Sequence, residues 1–180
     1  MENSYLLAGF GGQGIQTLGQ LMVYAANEAD KAATYLPAYG GEMRGGTSNC
    51  TVKISADEIG APAAKSYDYV VVLNMPSYNR FKDTVKPSGT LIVNSSLIAD
   101  AKAPEEVKLI EIDLSELSKE AGSALTGNII MLGLLCAYVG DIPQEAAKEV
   151  MLKKMGKKEE YIAMNSKAFD LGVRQAKAYA

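Results

Sequence analysis

Ser4-Tyr5-Leu6-Leu7-Ala8-Gly9-Phe10-Gly11-Gly12-Gln13-Gly14-Ile15 is the stretch whose reading decides the fold. A short apolar run stops at Gly9, and from Ile15 to Ala29 the apolar residues Ile15, Leu18, Leu21, Met22, Ala25, Ala26 and Ala29 recur at helical spacing,. The spacing predicts a strand, a glycine turn and a helix. Working outward, Ala32 to Leu36 reads as a second strand closed by Pro37. Cys50 to Ile54 alternates strictly, with Cys50, Val52 and Ile54 on one face, which predicts a half-buried third strand,. Tyr69 to Leu73 and Thr90 to Val93 are continuous β-branched runs, the pattern of central parallel strands covered on both faces,. Lys108 to Ile112 offers one more strand, and Lys86-Pro87-Ser88-Gly89 reads as an intervening turn,.

After residue 114 the pattern turns helical. Ile129 to Val139 is apolar almost all round and too short to span a bilayer, so it predicts a helix buried in the protein or in an interface, with Thr126-Gly127-Asn128 as its capping signal,. Helices from Gln144 to Met155 and from Lys157 to Ala178 follow, separated at Gly156. The expectation is one α/β domain over residues 1–180: an open, mostly parallel sheet with helices on both faces and a helical C-terminal third.

Composition removes whole classes of chemistry. The 180 residues contain no histidine, which excludes Ser-His and Cys-His nucleophile pairs, an imidazole general base and imidazole zinc ligands,. The two cysteines, Cys50 and Cys136, form no C-x-x-C and are too few to hold an iron–sulfur cluster,. A net charge of −3 gives no footprint for nucleic acid or an anionic membrane surface, so neither is expected as a partner,. Met1-Glu2-Asn3-Ser4 lacks the basic start of a signal peptide, and the expected location is the cytoplasm,. Met131, Met151, Met155 and Met164 read as packing residues. Lys153-Lys154 and Lys157-Lys158, followed by Glu159-Glu160, read as a solvated helix junction,.

Two glycine-rich elements carry the functional reading. Gly9-Phe10-Gly11-Gly12-Gln13-Gly14 satisfies G-x-G-x-x-G between strand and helix, where backbone N–H groups can approach an anion at the helix's positive end,. A dinucleotide site also wants a carboxylate at the end of the second strand, about twenty residues on. That strand ends Thr34-Tyr35-Leu36-Pro37, Asp30 falls too early and Glu42 lies in a loop. Three readings of the turn remain: an NAD or FAD site, a tight turn needed only for strand–helix packing, or a turn that holds an anion or a partner. The second element, Tyr39-Gly40-Gly41-Glu42-Met43-Arg44-Gly45-Gly46, sits in a loop long enough to suggest function,. Glu42 and Arg44 form a surface ion pair, or Arg44 serves as a forked donor to a phosphate, a carboxylate or a neighbouring subunit. Asn74 and Met75, and Asn94, Ser95 and Ser96, follow central strands where open sheets place ligands,.

At these residues the chain resembles the γ subunit of the 2-oxoacid:ferredoxin oxidoreductases. The likeness rests on Gly9 to Gly14, Tyr39 to Gly46, Asn49-Cys50-Thr51-Val52-Lys53-Ile54-Ser55 and Asn128-Ile129-Ile130-Met131-Leu132-Gly133. Their order covers essentially the whole chain, and Gly41 stands where family members often have proline. The resemblance implies a complex that oxidatively decarboxylates a 2-oxoacid, passes the acyl group to coenzyme A and reduces ferredoxin. It implies thiamine diphosphate, magnesium and iron–sulfur clusters in the complex, none of them bound by this chain alone. The implied partners are α and β subunits, with a δ subunit as a further candidate, and ferredoxin through the complex. Gly9, Gly11, Gly12, Gln13, Gly14 and Arg44 are then the candidate coenzyme A side. Tyr39, Gly40, Gly41, Glu42, Met43, Gly45, Gly46 and Asn128 are the candidate partner-facing residues, and no catalytic or metal-ligating residue is assigned. The Asn49 to Ser55 stretch looks more like the 2-oxoglutarate and branched-chain versions than the pyruvate one. The alternative is a free-standing nucleotide-binding oxidoreductase or binding module.

Overall fold

The computed structural model describes residues 1–39, 47–156 and 158–179. β1 (Glu2–Phe10) leads through the glycine turn into α1 (Ile15–Glu28), and β2 (Ala32–Tyr39) and β3 (Thr47–Ser55) form an antiparallel pair. β4 (Tyr67–Val72), α2 (Met75–Phe81), β5 (Val85–Asn94), β6 (Lys108–Ile112) and α3 (Leu114–Ala121) follow. A 3-10 turn (Ala124–Thr126) then opens α4 (Gly127–Val139), before α5 (Gln144–Met155) and α6 (Glu159–Ala176).

The sheet order is β2-β3-β1-β4-β5-β6. β1, β4, β5 and β6 are parallel, whereas β3 runs antiparallel to both its neighbours. The sheet is thus mixed, parallel through its centre and antiparallel at one side. Alternate side chains divide between two cores, as the two-residue period of a strand requires. Tyr5, Leu7, Val71 and Ile92 point to the layer built by α1, α3, α4, α5 and α6. Leu6, Ala8, Val70, Val72, Leu91 and Val93 point to the other face, where α2 and Ile98 pack. Helices cover both faces, unequally.

Three expectations need correction. β2 continues through Pro37 to Tyr39, which an edge strand tolerates because one side of its backbone needs no partner,. β3 is buried on both faces rather than half-buried: Thr51, Lys53 and Ser55 are covered too, though less completely than Cys50, Val52 and Ile54. Lys86 to Gly89 is no connection between elements. It lies inside β5 as an irregularity in the pairing with β4, where Ser88 adopts φ 61° and its N–H donates to Glu106 O,.

α4 is the interior helix its all-round apolarity predicts, with Asn128 to Cys136 buried,. Thr126 precedes it without a side-chain cap; its hydroxyl instead donates to Ser123 O at 2.8 Å. α4 packs against α6 through Gly133 and Gly172: a Cβ on Gly133 would overlap Phe169 O, and one on Gly172 would overlap Ile130 O. No single helix among the described residues is long and apolar enough to cross a membrane.

Candidate functional site

β1, β4 and β5 deliver their carboxyl ends to one side of the sheet, at Phe10, Leu73 and Asn94. Open α/β sheets bind ligands on this side. β2 ends and β3 begins here too, since Tyr39 pairs with Ser48 and Thr47 pairs with Phe10. Gly40, Gly41, Glu42, Met43, Arg44, Gly45 and Gly46 lie outside the described residues.

Within the turn each residue has its own task. Gln13 folds back so that its Oε1 accepts the Phe10 N–H at 2.7 Å, while the Gln13 N–H donates to Phe10 O at 3.2 Å. A Cβ on Gly9 would stand 2.6 Å from that Oε1, so the closure needs glycine there. Gly12 (φ 98°) and Gly14 (φ 73°) occupy left-handed backbone,. Gly14 also lies against Asn128, whose Nδ2 donates to Gly14 O at 3.4 Å. Gly11 differs: its φ is not positive, and a Cβ there meets nothing within 4 Å. Among the described residues, nothing fills the space before Gly11 and Gly12.

Beneath the turn lies a polar floor. Asn74 Nδ2 donates to Gln13 Oε1 at 3.1 Å and its Oδ1 caps α2 through Ser77 N–H. Gln13 Nε2 and Asn94 Nδ2 both donate to Leu73 O, at 3.3 and 3.2 Å. The floor opens into a cleft of about 470 Å³ between the turn, the end of β5, α3, the 3-10 turn and the start of α4. Gly12, Gln13, Leu73, Asn94, Leu114 and Lys119 are among its lining, with Leu97 (51% exposed) and Leu125 (80%) also on it. Lys119 is the one charged side chain among the described residues that line it. Across the sheet top, Arg80 Nη1 donates to Thr47 Oγ1 at 3.4 Å. The described lining holds backbone donors, amides and Lys119 but no carboxylate, so these residues suit an anionic or amide-bearing group,.

The structure therefore gathers Gly9, Gly11, Gly12, Gln13 and Gly14 with Asn74 and Asn94. Asn128, expected to face a partner, is instead buried at 5% exposure under Gly14. Met75 packs into the second core. The contribution of α3 was missed, although Asp113-Leu114-Ser115-Glu116 carries a start signal: Asp113 Oδ1 accepts the Glu116 N–H at 2.9 Å,.

Among the described residues, none offers a site for the groups that the resemblance implies for the complex. Burial pushes the Cys50 thiol up to about 12, and burial together with Asp141 pushes Cys136 up as well. Both thiols lie enclosed in the core, where burial disfavours the thiolate form,. Among the described residues no three His, Cys, Asp or Glu side chains come together as a metal site.

Residues 4–175 match the family described as pyruvate ferredoxin/flavodoxin oxidoreductase. The chain is 33% identical, over 95% of its length, to the ketoisovalerate oxidoreductase subunit VorA of Methanothermobacter thermautotrophicus, and spans about a third (36%) of that relative. It is 33% identical to the 2-oxoglutarate synthase subunit KorC of Methanocaldococcus jannaschii, covering 98% of this chain and 95% of that one. Among solved structures, the keto/oxoacid ferredoxin oxidoreductase γ subunit of Geobacter sulfurreducens superposes with a TM-score of 0.84 at 29% identity, over 99% of this chain and 98% of that one. A 2-oxoglutarate:ferredoxin oxidoreductase of Magnetococcus marinus, holding 2-oxoglutarate, coenzyme A and succinyl-CoA, superposes with a TM-score of 0.91 at 28% identity. That match covers 98% of this chain and 31% of the longer one. The glycine turn, the mixed sheet and the near-complete family match agree: this chain belongs to the pyruvate ferredoxin/flavodoxin oxidoreductase family.

Proposed function

We propose that this chain is the γ-type subunit of a 2-oxoacid:ferredoxin oxidoreductase, inactive alone, that shapes the coenzyme A side of the active site and docks the catalytic subunits. The observation that carries the reading is the space before Gly11 and Gly12 that no described residue fills, beside a cleft lined by Lys119. Backbone N–H groups with no side chain in front of them can approach a phosphate or amide closely. Closing such a surface over a neighbouring active site excludes water and orients the second substrate. Thiamine diphosphate, magnesium and the clusters belong to other subunits, consistent with a chain whose thiols are isolated and buried. A 2-oxoglutarate or branched-chain substrate is favoured, in line with the 33% identity to both the 2-oxoglutarate and ketoisovalerate relatives.

The reading as a free-standing NAD or FAD module has less support. In a dinucleotide fold the strand beside β1 ends in a carboxylate next to the glycine turn. Here the neighbour is β3, antiparallel, and it presents Thr47 and Ser48 opposite Phe10 and Gly9. Asp30 precedes β2, whose far end is the one at the glycine turn.

The test is a reconstituted complex carrying Gly11→Val or Arg44→Ala. Each substitution should raise the KM for coenzyme A or weaken assembly while the isolated chain stays folded. Wild-type kinetics and assembly in both variants would exclude this role. Assay with 2-oxoglutarate, 2-oxoisovalerate and pyruvate decides the substrate.

A further inference from the structure

We propose that Asn94 is a positioning residue: its carboxamide locks the glycine turn to α3 and so sets the geometry of the cleft. Asn94 ends β5 and is 3% exposed. Its two ends face opposite walls. Nδ2 donates to Leu73 O at 3.2 Å, the same carbonyl that receives Gln13 Nε2 from the turn at 3.3 Å. Two donors occupy both lone pairs of that oxygen, so the turn and the end of β5 are held through one atom. Oδ1 accepts the Leu114 N–H at 3.3 Å, the first amide of α3, and the N–H and hydroxyl of Ser96. The Ser96 hydroxyl in turn accepts the Ser115 N–H at 3.2 Å.

The first amides of a helix have no partners within it and must find acceptors elsewhere. In α3 Asp113 takes one, at Glu116, and the Asn94–Ser96 pair takes Leu114 and Ser115. Leu114 and Ser115 line the cleft on one side and Gln13 and Gly12 on the other. The spacing of the walls thus depends on a single buried carboxamide that donates to one and accepts from the other. A residue that merely filled space would not need both ends.

Asn94→Asp keeps the acceptor toward α3 and replaces the donor with an oxygen that faces Leu73 O. As a carboxylate it offers Leu73 O no donor, and only on protonation would its O–H restore one. Asn94→Ala removes both ends. In the full chain, hydrogen exchange at the amides of Gly11 to Ile15 should rise about tenfold in both variants, the loss expected for one hydrogen bond. Exchange at Leu114 to Leu117 should rise in Asn94→Ala. Acidification should reverse the effect in Asn94→Asp alone, and adding Gln13→Glu to either variant should be less than additive, because both donors share Leu73 O. Unchanged exchange at the turn in both variants would overturn the proposal.

The kinetic arm rests on the coenzyme A reading. In the assembled complex, Asn94→Asp should raise the KM for coenzyme A with kcat held at saturation, and the defect relative to wild type should shrink at lower pH. Altered exchange with an unaltered KM would overturn the coenzyme-side reading and leave the positioning role supported.

Discussion

Gly14 and Asn128, 114 positions apart, touch: a Cβ on Gly14 would lie 2.7 Å from Asn128 Cγ and 3.1 Å from its Cβ. The last glycine of the turn is therefore required twice, by its left-handed φ of 73° and by the amide of α4 pressed against it. Gly11, three residues earlier, meets no such demand among the described residues.

That contrast predicts opposite phenotypes. Gly14→Ala should lower stability by about 2 kcal/mol, from left-handed strain plus the collision. Adding Asn128→Ala should recover only the collision part. Gly11→Ala should leave the melting temperature within about a degree of wild type, since surface changes away from special contacts are near neutral. Thermal unfolding of the three variants checks the ordering, and a Gly11→Ala chain as unstable as Gly14→Ala would contradict it.

At the α4–α6 contact, Gly133→Val and Gly172→Val should each cost about 3 kcal/mol, because the obstacle is helix backbone that cannot rotate away as a side chain can,. The pair should be less than additive, since one separation of the helices relieves both overlaps. Chemical denaturation of the single and double variants measures this.

Alkaline pH should unfold the chain in a defined way. Burial holds the Cys50 and Cys136 thiols far above their ordinary 9.0, and burial with Asp141 holds the Tyr5 hydroxyl well above 10.0. The unfolded chain loses these protons first, so it binds fewer protons than the native state and stability falls as pH rises from about 9. Each such group contributes a slope of about 1.4 kcal/mol per pH unit. Replacing Cys50 by Ala should remove one slope; an unchanged pH dependence of the denaturation midpoint would contradict the assignment.

The Asp141 carboxylate, which accepts from the Tyr5 hydroxyl and from Asn3 Nδ2 at 3.1 Å, ties the α4–α5 connection to β1. Asp141→Ala leaves the buried Tyr5 hydroxyl without that partner, which should cost about 2 kcal/mol. Asp141→Asn, which keeps an acceptor, should recover part of it. Equal losses would show that the charge and not the hydrogen bond matters.

Much of this was legible in the residues because its causes are local. Strand, turn and helix over residues 2–28 follow from an apolar run, glycines and a helical period, and each is read within a few residues of itself. β6 and α5 match their predicted bounds for the same reason. β3 shows where that reading stops. Alternation marks Cys50, Val52 and Ile54 as one buried face, but whether Thr51, Lys53 and Ser55 are covered depends on what packs there, and the chain after β3 returns over them: Tyr67 Oη lies 3.2 Å from Thr51 Oγ1. Lys86 to Gly89 has the composition of a turn, yet it lies within β5, between Val85 and Thr90, both paired with β4.

By itself the sequence determined the element types, the position of the glycine turn and the kinds of chemistry excluded by having no histidine and two distant cysteines, since these depend on residue identity and short-range spacing. Only the tertiary structure decided that β3 lies between β1 and β2, that Asn128 supports Gly14 from below, and that Asn74, Gln13 and Asn94 converge on a cleft whose other wall is α3. Those relations join residues from about 20 to more than 110 positions apart, and the close packing and hydrogen-bond satisfaction that select them act across space, where no local period records them,.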